Sequence, residues 1–350
     1  MADLAESLAP VTDVHAHVLL PAVERLVAGH PGLAAWRERD VRRMGRASAE
    51  IGRRMVRERL DALVEIEPRI SAMDAAGVDA QLVSVTPTQY HPWADENLAR
   101  ELWTAVHQEL AAYCAVRPER LSGIGVVPLQ WPDQAIQALD HAVECGLRGV
   151  EISTHADDPG GGPPIELSDH RLEPFWRRAA ELEAVVFVHP WGCTLEERLD
   201  RWYLSNLVGQ PAELTVALSH VILSGVLDRH PGLRLLAAHG GGYLPTYLGR
   251  SDHGWLTRPD VRGCARRPSE YLSELYVDSL VYRPADLRAL VAATGAEHVL
   301  LGSDYPFDMG VPDPVARLAE ADLKPPQAAA IAGGNARRLR LTPQREGEAR

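Results

Sequence analysis

Cysteine is scarce in this 350-residue chain, and none of the four cysteines forms a Cys-x-x-Cys pair. A disulfide framework is therefore not expected, and a reducing cytoplasmic location is predicted. Positive charge is also lacking: the net charge of −12 argues against a nucleic-acid-binding surface. The amino-terminal residues show no signal-peptide pattern, and the longest apolar run, near 216–227, is too short and too polar to span a bilayer. Nucleic acid and membrane are thus not expected as partners.

Several catalytic motifs are missing as well. The chain contains no Gly-x-Ser-x-Gly, no His-Glu-x-x-His and no glycine-rich dinucleotide fingerprint. A serine-nucleophile enzyme and a nucleotide-dependent dehydrogenase are therefore poor candidates.

The regular feature of the chain is an alternation of short apolar segments with helical patterns. Eight segments are predicted as strands, beginning near residues 11, 80, 121, 148, 184, 233, 275 and 298. Strands that alternate with helices favour a parallel sheet, and eight such units favour a closed barrel. We predict an α/β fold, a (β/α)₈ TIM barrel forming a single domain over residues 1–340, with a disordered tail at 341–350.

Residues 22–67 interrupt this pattern after the first strand. The segment is rich in arginine and has no clean apolar period. We predict a helical insertion of one or two helices over the barrel mouth. Most of its arginines are expected to be solvated, and an arginine folded inward over an acidic substrate would be the exception.

Polar residues recur where the predicted strands end. His15 and His17 close the first strand, and they point to the same side because side chains alternate along a strand. His189, His239 and Asp304 close the fifth, sixth and eighth strands. The carboxyl ends of barrel strands form one face, so these five residues are expected to converge.

Each of these residues alone could be structural, but their joint placement favours a metal site. Three imidazoles and a carboxylate suit a divalent cation, Zn²⁺ first, with Mn²⁺ or Fe²⁺ also compatible. A water bound to such an ion can have a pKa near about 7, which gives a nucleophile or acid at neutral pH.

Seven short motifs give the chain a family resemblance. They are Asp13-Val-His-Ala-His17, Phe187-Val-His-Pro-Trp191, Pro211-Ala-Glu213, His239-Gly-Gly-Gly242, Leu248-Gly-Arg250, Val277-Asp-Ser279 and Leu301-Gly-Ser-Asp-Tyr-Pro-Phe307. With them the sequence resembles the amidohydrolase superfamily, in the branch of α-amino-β-carboxymuconate-ε-semialdehyde decarboxylase and related aromatic-acid decarboxylases. The resemblance is close over residues 185–310 and weak over 22–67.

The resemblance implies roles for the residues at the strand ends. His15, His17, His189 and Asp304 would bind one metal ion. His239 and Asp304 would be catalytic, with His239 polarising the metal-bound water and moving a proton. The resemblance also implies a homodimer, in which Arg250 reaches a substrate carboxylate in the neighbouring subunit.

The resemblance further implies which residues bind substrate: Arg57, Trp191, Asn206, Arg250 and Phe307. Arg57 lies in the weakly matching region, and the alternative is an ordinary surface arginine.

Three positions depart from the pattern of the branch. Asn206 stands where a tryptophan is usual, and Gly192 stands where an acidic residue usually follows His-Pro-Trp. Glu151, on the fourth strand, replaces a neutral residue. It could be a metal ligand or an extra acid, but the favoured interpretation is that it pairs with an arginine or faces the helices.

The favoured function is a metal-dependent, non-oxidative decarboxylase that acts on a small aromatic or enoic acid. The alternative at the same site is a hydrolase or cyclodehydratase that acts on an amide or ester of an aromatic acid. A barrel that only binds a ligand is the third hypothesis.

Overall fold

The computed structural model describes residues 9–343 and shows an α/β chain with parallel sheets. The strands are β1 Thr12–Val18, β2 Ala80–Val85, β3 Leu121–Gly123, β4 Gly125–Val126, β5 Gly149–Ile152, β6 His155–Ala156, β7 Ile165–Glu166, β8 Val185–Val188, β9 Arg234–Ala237, β10 Leu275–Asp278 and β11 Val299–Leu300. All eight predicted segments are strands; the third is split into β3 and β4, and β6 and β7 form an additional hairpin.

Helices follow the strands. They are α1 Pro21–Val27, α2 Pro31–Met44, α3 Arg46–Glu58, α4 Leu60–Val64, α5 Ile66–Ala76, α6 Glu96–Ala115, α7 Pro132–Glu144, α8 Glu173–Glu181, α9 Gln210–Leu223, α10 Val226–Arg229, α11 Leu244–Thr257, α12 Pro284–Thr294, α13 Pro314–Glu320, α14 Pro325–Ala329 and α15 Asn335–Arg338. None of the described helices combines the length and the apolar character needed to cross a lipid bilayer.

Local sequence sets the ends of several helices. Asp95 caps α6, because its carboxylate accepts a hydrogen bond of 2.9 Å from the backbone N–H of Leu98. Proline occupies the first helical position of α2 and α7, where its missing N–H costs no hydrogen bond. These signals are readable in the sequence, which is why the alternation of elements is predictable.

The main strands pair in parallel in two groups. One group has the order β1-β2-β3, and the other has the order β11-β10-β9-β8-β5-β4. The segment after β11 also lies beside β1: the N–H of Val14 donates to the Leu301 carbonyl at 2.8 Å, and the N–H of His17 donates to the Tyr305 carbonyl at 2.7 Å. The carboxyl ends of the first and last strands therefore lie side by side.

The core lies between the strands and the helices that cover them. All four residues of β8 are fully buried, as expected for a strand covered on both faces. Trp176 and Phe175 of α8 are also buried. A continuous apolar run is thus the sequence signature of this central strand.

The segment after β1 differs from the prediction in its number of helices. It contains the four helices α1 to α4 rather than one or two. Ala49 is the buried residue of α3, and the four arginines of this helix, Arg46, Arg53, Arg54 and Arg57, are exposed as predicted. An apolar period is missing because little of the segment packs into the core.

The end of the described chain is packed. Leu341 is buried, and its carbonyl accepts a hydrogen bond of 2.5 Å from the hydroxyl of Ser122. The rest of the predicted tail, residues 344–350, lies outside the described residues.

Candidate metal centre

Four side chains from three strand ends meet at one point. His15 and His17 belong to β1, His189 directly follows β8, and Asp304 follows β11. One ligand atom from each lies within 4.8 Å of the others. His15 Nε2 is 3.1 Å from His17 Nε2, and Asp304 Oδ1 is 3.3 Å from His17 Nε2 and 3.6 Å from His15 Nε2. The predicted convergence is therefore present in the structure.

These separations fit a metal ion. In a tetrahedral zinc site with metal–nitrogen bonds of about 2.1 Å, neighbouring ligand atoms lie roughly 3.4 Å apart. His189 gives a second indication, since it is only 4% exposed and neither ring nitrogen has a hydrogen-bond partner. A buried imidazole with no partner requires an explanation, and a bound cation provides one. The four residues could hold a single divalent ion.

Hydrogen bonds on the far side of two rings orient them. His15 Nδ1 lies 2.7 Å from Asp278 Oδ2, and His17 Nδ1 lies 3.0 Å from the Val85 carbonyl. Each ring therefore has its Nδ1 engaged and its Nε2 directed at the cluster. This arrangement is typical of histidines that bind metals.

Gly302 allows His15 and Asp278 to approach each other. A Cβ atom at residue 302 would lie 2.9 Å from the Cβ of Asp278 and 3.1 Å from the Cβ of His15. A larger residue there would push the two strand ends apart.

Asp304 and His189 are held in the protonation states that metals bind. Burial raises the pKa of Asp304, but the hydrogen bond to His17 and the charge of His15 outweigh it, so the pKa lies below its usual value. Burial and the neighbouring histidines hold the pKa of His189 well below its usual value. Burial lowers the pKa of His15, but the hydrogen bond to Asp278 and the charge of Asp304 raise it to about 9, so a cation that binds here displaces a proton from His15.

Asp278 is a positioning residue whose loss should weaken metal binding. Its buried carboxylate accepts hydrogen bonds from His15 Nδ1 and from the backbone N–H of His239 and Gly240. We expect Asp278→Asn to lower the metal affinity by about 10- to 100-fold, measured by competition with a chelator. Asp252→Asn is the control, because the carboxylate of Asp252, on α11, accepts hydrogen bonds from the backbone N–H and the hydroxyl of Ser269. Unchanged affinity in a folded Asp278→Asn protein would contradict this role.

His239 stands beside the cluster and not in it. Its ring centroid is 5.2 Å from that of His189 and 5.3 Å from that of His15. Burial and the charge of His15 lower its pKa to about 4, so its imidazole is neutral near pH 7. His239 and Asp304 both have left-handed backbones, with φ of 50° and 60°. Such backbones are uncommon for residues other than glycine and occur often at active sites.

A cavity opens next to the cluster. Its lining includes Glu151, Trp191, Tyr90, His155 and Arg43.

Glu151 lies between this cavity and the metal cluster. It is 1% exposed, and its Oε1 accepts a hydrogen bond of 3.2 Å from the hydroxyl of Ser84, which also lies 3.2 Å from His17 Nδ1. Glu151 is not in the four-residue cluster, and its carboxyl group interacts with the hydroxyl of Tyr90. Burial raises its pKa to about 8, so the group is a neutral acid near pH 7.

The remaining residues expected to bind substrate are spread more widely. The ring of Phe307 lies 5.3 Å from the ring of His17, and Trp191 lines the cavity. Asn206 is half-buried in the π-helical turn Ser205–Gly209, outside the cavity lining.

Two arginines lie on the surface of the single chain. Arg57 does not reach the cavity: its side chain is 65% exposed and lies 3.9 Å from Glu50 on the outer face of α3. Arg250 is exposed on α11.

Sequence reasoning assigned no role to three residues around the site. Asp278 ends β10, so the strand-end rule could have found it. His155 and Glu213 form a buried pair, with 3.3 Å between His155 Nδ1 and Glu213 Oε2. In the sequence, His155 could be noticed only as a histidine just after the fourth predicted strand, and Glu213 only as part of the Pro-Ala-Glu motif. Nothing in the sequence indicates that the two side chains contact each other.

Glu213 should stabilise the fold in a pH-dependent way. Burial raises its pKa, but hydrogen bonds from His155 and from Thr194 lower it to about 2, against a reference value of 4.5. A group whose pKa falls on folding stabilises above its unfolded pKa. We expect Glu213→Gln to lose about 3 kcal/mol at most near pH 7. The difference from the unmodified protein should shrink as the pH falls from about 5 to about 2.

Chemical denaturation at a series of pH values measures this effect. Glu270→Gln, at an exposed position, serves as the control. A stability difference that stayed constant down to the lowest pH would show that the loss does not come from ionisation of Glu213.

Comparisons with known proteins agree with this geometry. The amidohydrolase family model matches residues 12–339. The chain is 32% identical to a 2-amino-3-carboxymuconate-6-semialdehyde decarboxylase of Dictyostelium discoideum over 301 residues, which covers 85% of this chain and 82% of the relative. It is 29% identical to a gamma-resorcylate decarboxylase of Rhodococcus jostii, with 69% of this chain and 77% of that protein covered.

A solved structure gives the same picture of the fold. The 5-carboxyvanillate decarboxylase of Novosphingobium aromaticivorans, complexed with manganese and 4-hydroxy-3-methoxy-5-nitrobenzoic acid, superimposes with a TM-score of 0.81 at 22% identity, over 95% of both chains. Together, the family match and the relative at 32% identity show that this chain belongs to the amidohydrolase family, in its decarboxylase branch.

Proposed function

We propose that this protein is a metal-dependent, non-oxidative decarboxylase of a small aromatic or enoic carboxylic acid. The observation that carries the proposal is the cluster of His15, His17, His189 and Asp304, with His239 beside it and a cavity nearby. The decarboxylase activities of the relatives support the same reaction class.

The architecture that we propose for this activity is a closed (β/α)₈ barrel in one domain over residues 1–340. The hydrogen bonds between β1 and the chain after β11 support closure. We propose that residues 22–67 lie over the mouth of this barrel, since Trp36 and Arg43 of α2 line the cavity.

We propose one divalent ion held by His15, His17, His189 and Asp304, with zinc as the first candidate and manganese or iron as alternatives. Zinc suits three imidazoles and one carboxylate. Manganese is a serious alternative, because the Novosphingobium enzyme was complexed with it. A divalent ion at this site supplies a Lewis acid for the oxygen atoms of a bound carboxylate or water.

The side chains of the protein transfer the proton that decarboxylation requires. In decarboxylation the C–C bond to the carboxylate breaks, its electron pair stays on the substrate carbon, and CO₂ leaves. That carbon must gain one proton. His239, neutral and beside the cluster, is placed to take a proton from water and to pass it to that carbon. Phe307 and Trp191 offer apolar surfaces on which a flat substrate can lie.

A hydrolase or cyclodehydratase of an aromatic amide or ester is the second candidate. The presence of Asn206 and Gly192 where the branch usually has a tryptophan and an acid favours this alternative.

One experiment tests the main proposal. Metal-loaded protein is incubated with a panel of aminomuconate-, hydroxybenzoate- and hydroxyanthranilate-type acids, and the products are weighed by mass spectrometry. We expect a product lighter than its substrate by the mass of CO₂. A gain or loss of the mass of water would indicate the alternative reactions, and no turnover with any member of the panel would count against both.

We further propose a homodimer in which Arg250 contacts substrate in the neighbouring subunit. Arg250 and Tyr247 are spaced so that they share one face of α11, Tyr243 caps the start of this helix, and all three are exposed. Tyr247 is 71% exposed, which is unusual for a large aromatic residue unless a partner covers it.

Mixing two inactive variants tests this arrangement. Arg250→Ala and His239→Ala should each be inactive alone, but dimers that contain one of each have one complete site. Random mixing should therefore restore about a quarter of the unmodified activity. Recovery requires that Arg250 serve the partner's site, so a mixture that stays inactive would place Arg250 in the site of its own subunit. Full activity of Arg250→Ala alone would place it outside any site.

A further inference from the structure

Arg69 on α5 is a fully buried arginine that lies behind the metal ligands. It is 0% exposed, and its guanidinium donates to the Tyr113 hydroxyl at 2.9 Å, to Oε1 of Gln81 at 2.8 Å and to the His17 carbonyl at 2.5 Å. None of these three partners carries a negative charge. Removing a guanidinium from water is costly unless its charge is compensated, so this position requires an explanation.

The compensating carboxylate belongs to Asp13, and Gln81 connects it to Arg69. Nε2 of Gln81 donates to Oδ2 of Asp13 at 2.9 Å, while Oε1 of the same amide accepts from Arg69. Asp13 and Gln81 are directly paired residues of the neighbouring strands β1 and β2. The amide therefore has its acceptor towards the cation and its donors towards the carboxylate, so both of its ends are satisfied.

Asp13 also fixes the backbone around two of the ligands. The register of β1 against β2 shifts between Asp13 and Ala16, which places a bulge at His15. A bulge leaves backbone groups of the strand unpaired and redirects its side chains. The carboxylate of Asp13 accepts from the N–H of His15 at 3.1 Å and from the N–H and the hydroxyl of Ser303 at 3.0 and 2.5 Å. It thereby ties His15 to the residue before Asp304.

Arg69 holds the other side of the same junction between β1 and the segment after β11. It bonds the carbonyl of His17, and its guanidinium lies 5.0 Å from the ring centroid of Tyr305, the residue after Asp304. All of these contacts are made to the backbone of the ligands or to their sequence neighbours. The ligand atoms themselves stay free for a cation.

We propose that Arg69, Gln81 and Asp13 form a positioning network that holds the ligands of β1 and of the segment after β11 in their binding geometry before the ion arrives. These three residues are not part of the cavity lining, so they act through the backbone of the ligands. A site that is already formed loses less conformational freedom on binding, so the network should raise the metal affinity. This inference rests on the metal centre of the proposed function, and not on the reaction class.

Charge and position predict opposite effects when Arg69 is replaced. Arg69 is a cation near the site of a second cation, so its charge by itself opposes metal binding. Arg69→Met removes this charge and would bind metal more tightly if only charge mattered. If the network positions the ligands, Arg69→Met should instead bind metal about 10-fold more weakly, as is usual when a group that orients metal ligands is lost.

Competition with a chelator measures the Zn²⁺ affinity of each protein. Gln81→Met interrupts the network without changing its charge, and it should weaken binding by a similar factor. Gln134→Met is the matched control, because buried Gln134 also bridges two groups: it accepts from Nε1 of Trp103 at 2.9 Å and donates to the Glu96 carbonyl at 2.7 Å, between α6 and α7. Its Zn²⁺ affinity should stay within about twofold of that of the unmodified protein.

The visible absorption of the Co²⁺-loaded protein gives a second readout, because it follows the geometry of the ligands around the ion. We expect the spectrum to change in Arg69→Met and Gln81→Met and to stay the same in Gln134→Met. Arg69→Lys keeps the charge but cannot reproduce the planar group with its three partners, so it should give an intermediate affinity. It also provides an answer if Arg69→Met does not fold, which thermal unfolding of the metal-free protein establishes.

The outcomes separate this inference from the proposed function. Zn²⁺ binding that is unchanged or tighter in folded Arg69→Met and Gln81→Met would overturn the network. An equal loss in Gln134→Met would also overturn it, since the loss would then reflect general destabilisation. An unmodified protein that binds neither Zn²⁺ nor Co²⁺ would count against the metal centre and, with it, this inference. Metal binding that depends on Arg69 without CO₂ release would support the network and count against the decarboxylase proposal.

Discussion

Replacing Asp304 with asparagine is expected to remove the metal ion and to abolish turnover. The substitution keeps the size of the side chain but removes the negative charge at the point where three imidazoles meet. A divalent ion bound by three neutral ligands and an amide is held far more weakly, and we expect activity to fall by roughly three orders of magnitude or more. Metal content after dialysis and CO₂ release from the best substrate measure the two effects.

His189→Ala should also remove the metal ion and abolish turnover, because it removes a ligand, in this case a neutral one instead of a charged one. It removes a buried imidazole whose ring nitrogens make no hydrogen bond within the described residues, so the cost to the fold is that of a small cavity. Asp286→Asn, on the surface of α12, is the control for loss of an aspartate charge. A fully active Asp304→Asn or His189→Ala protein that still carried one equivalent of metal would show that these residues are not the ligands.

Replacing His239 is expected to separate metal binding from chemistry. His239 lies beside the cluster without belonging to it, so His239→Asn should retain the metal ion. If His239 moves the proton, turnover should fall by about 10²- to 10⁴-fold, which is the usual contribution of a general acid–base. The measurement is kcat at saturating substrate together with metal content for the same preparation.

The control for this substitution is His253→Ala, at an exposed position on α11. If His239→Asn lost the metal as well, the residue would be a ligand. If it kept both metal and full turnover, another group would have to supply the proton, and Glu151 would be the first to examine.

The strand ends explain why much of the metal site could be predicted. Side chains at alternate positions of one strand share a face, and parallel strands present their carboxyl ends together. His15, His17, His189 and Asp304 could therefore be grouped although they lie far apart in the sequence. The neighbours that orient them could not all be found in the same way, since the partner of His17 is the backbone carbonyl of Val85.

The arginines in the segment after β1 could not be distinguished by this reasoning. Nine of them lie between residues 37 and 59, and no period in the sequence distinguishes one from another. Alignment with the family pattern favoured Arg57, whereas the structure exposes Arg57 and buries Arg43 beside the cavity. The packing of α2 against the residues that follow His189 decides which arginine turns inward.

The order of apolar and polar residues by itself determined the alternation of strands and helices, the identity of the candidate ligands and the membership of a family. These properties follow from local periodicity and from the direction of side chains along a strand. Only the tertiary structure decided that Asp278 supports His15, that Glu213 supports His155 and that Arg43 reaches the cavity. Each of these contacts joins segments that are distant in the sequence. Such contacts depend on how helices and loops pack, and they produce no periodic pattern in the sequence.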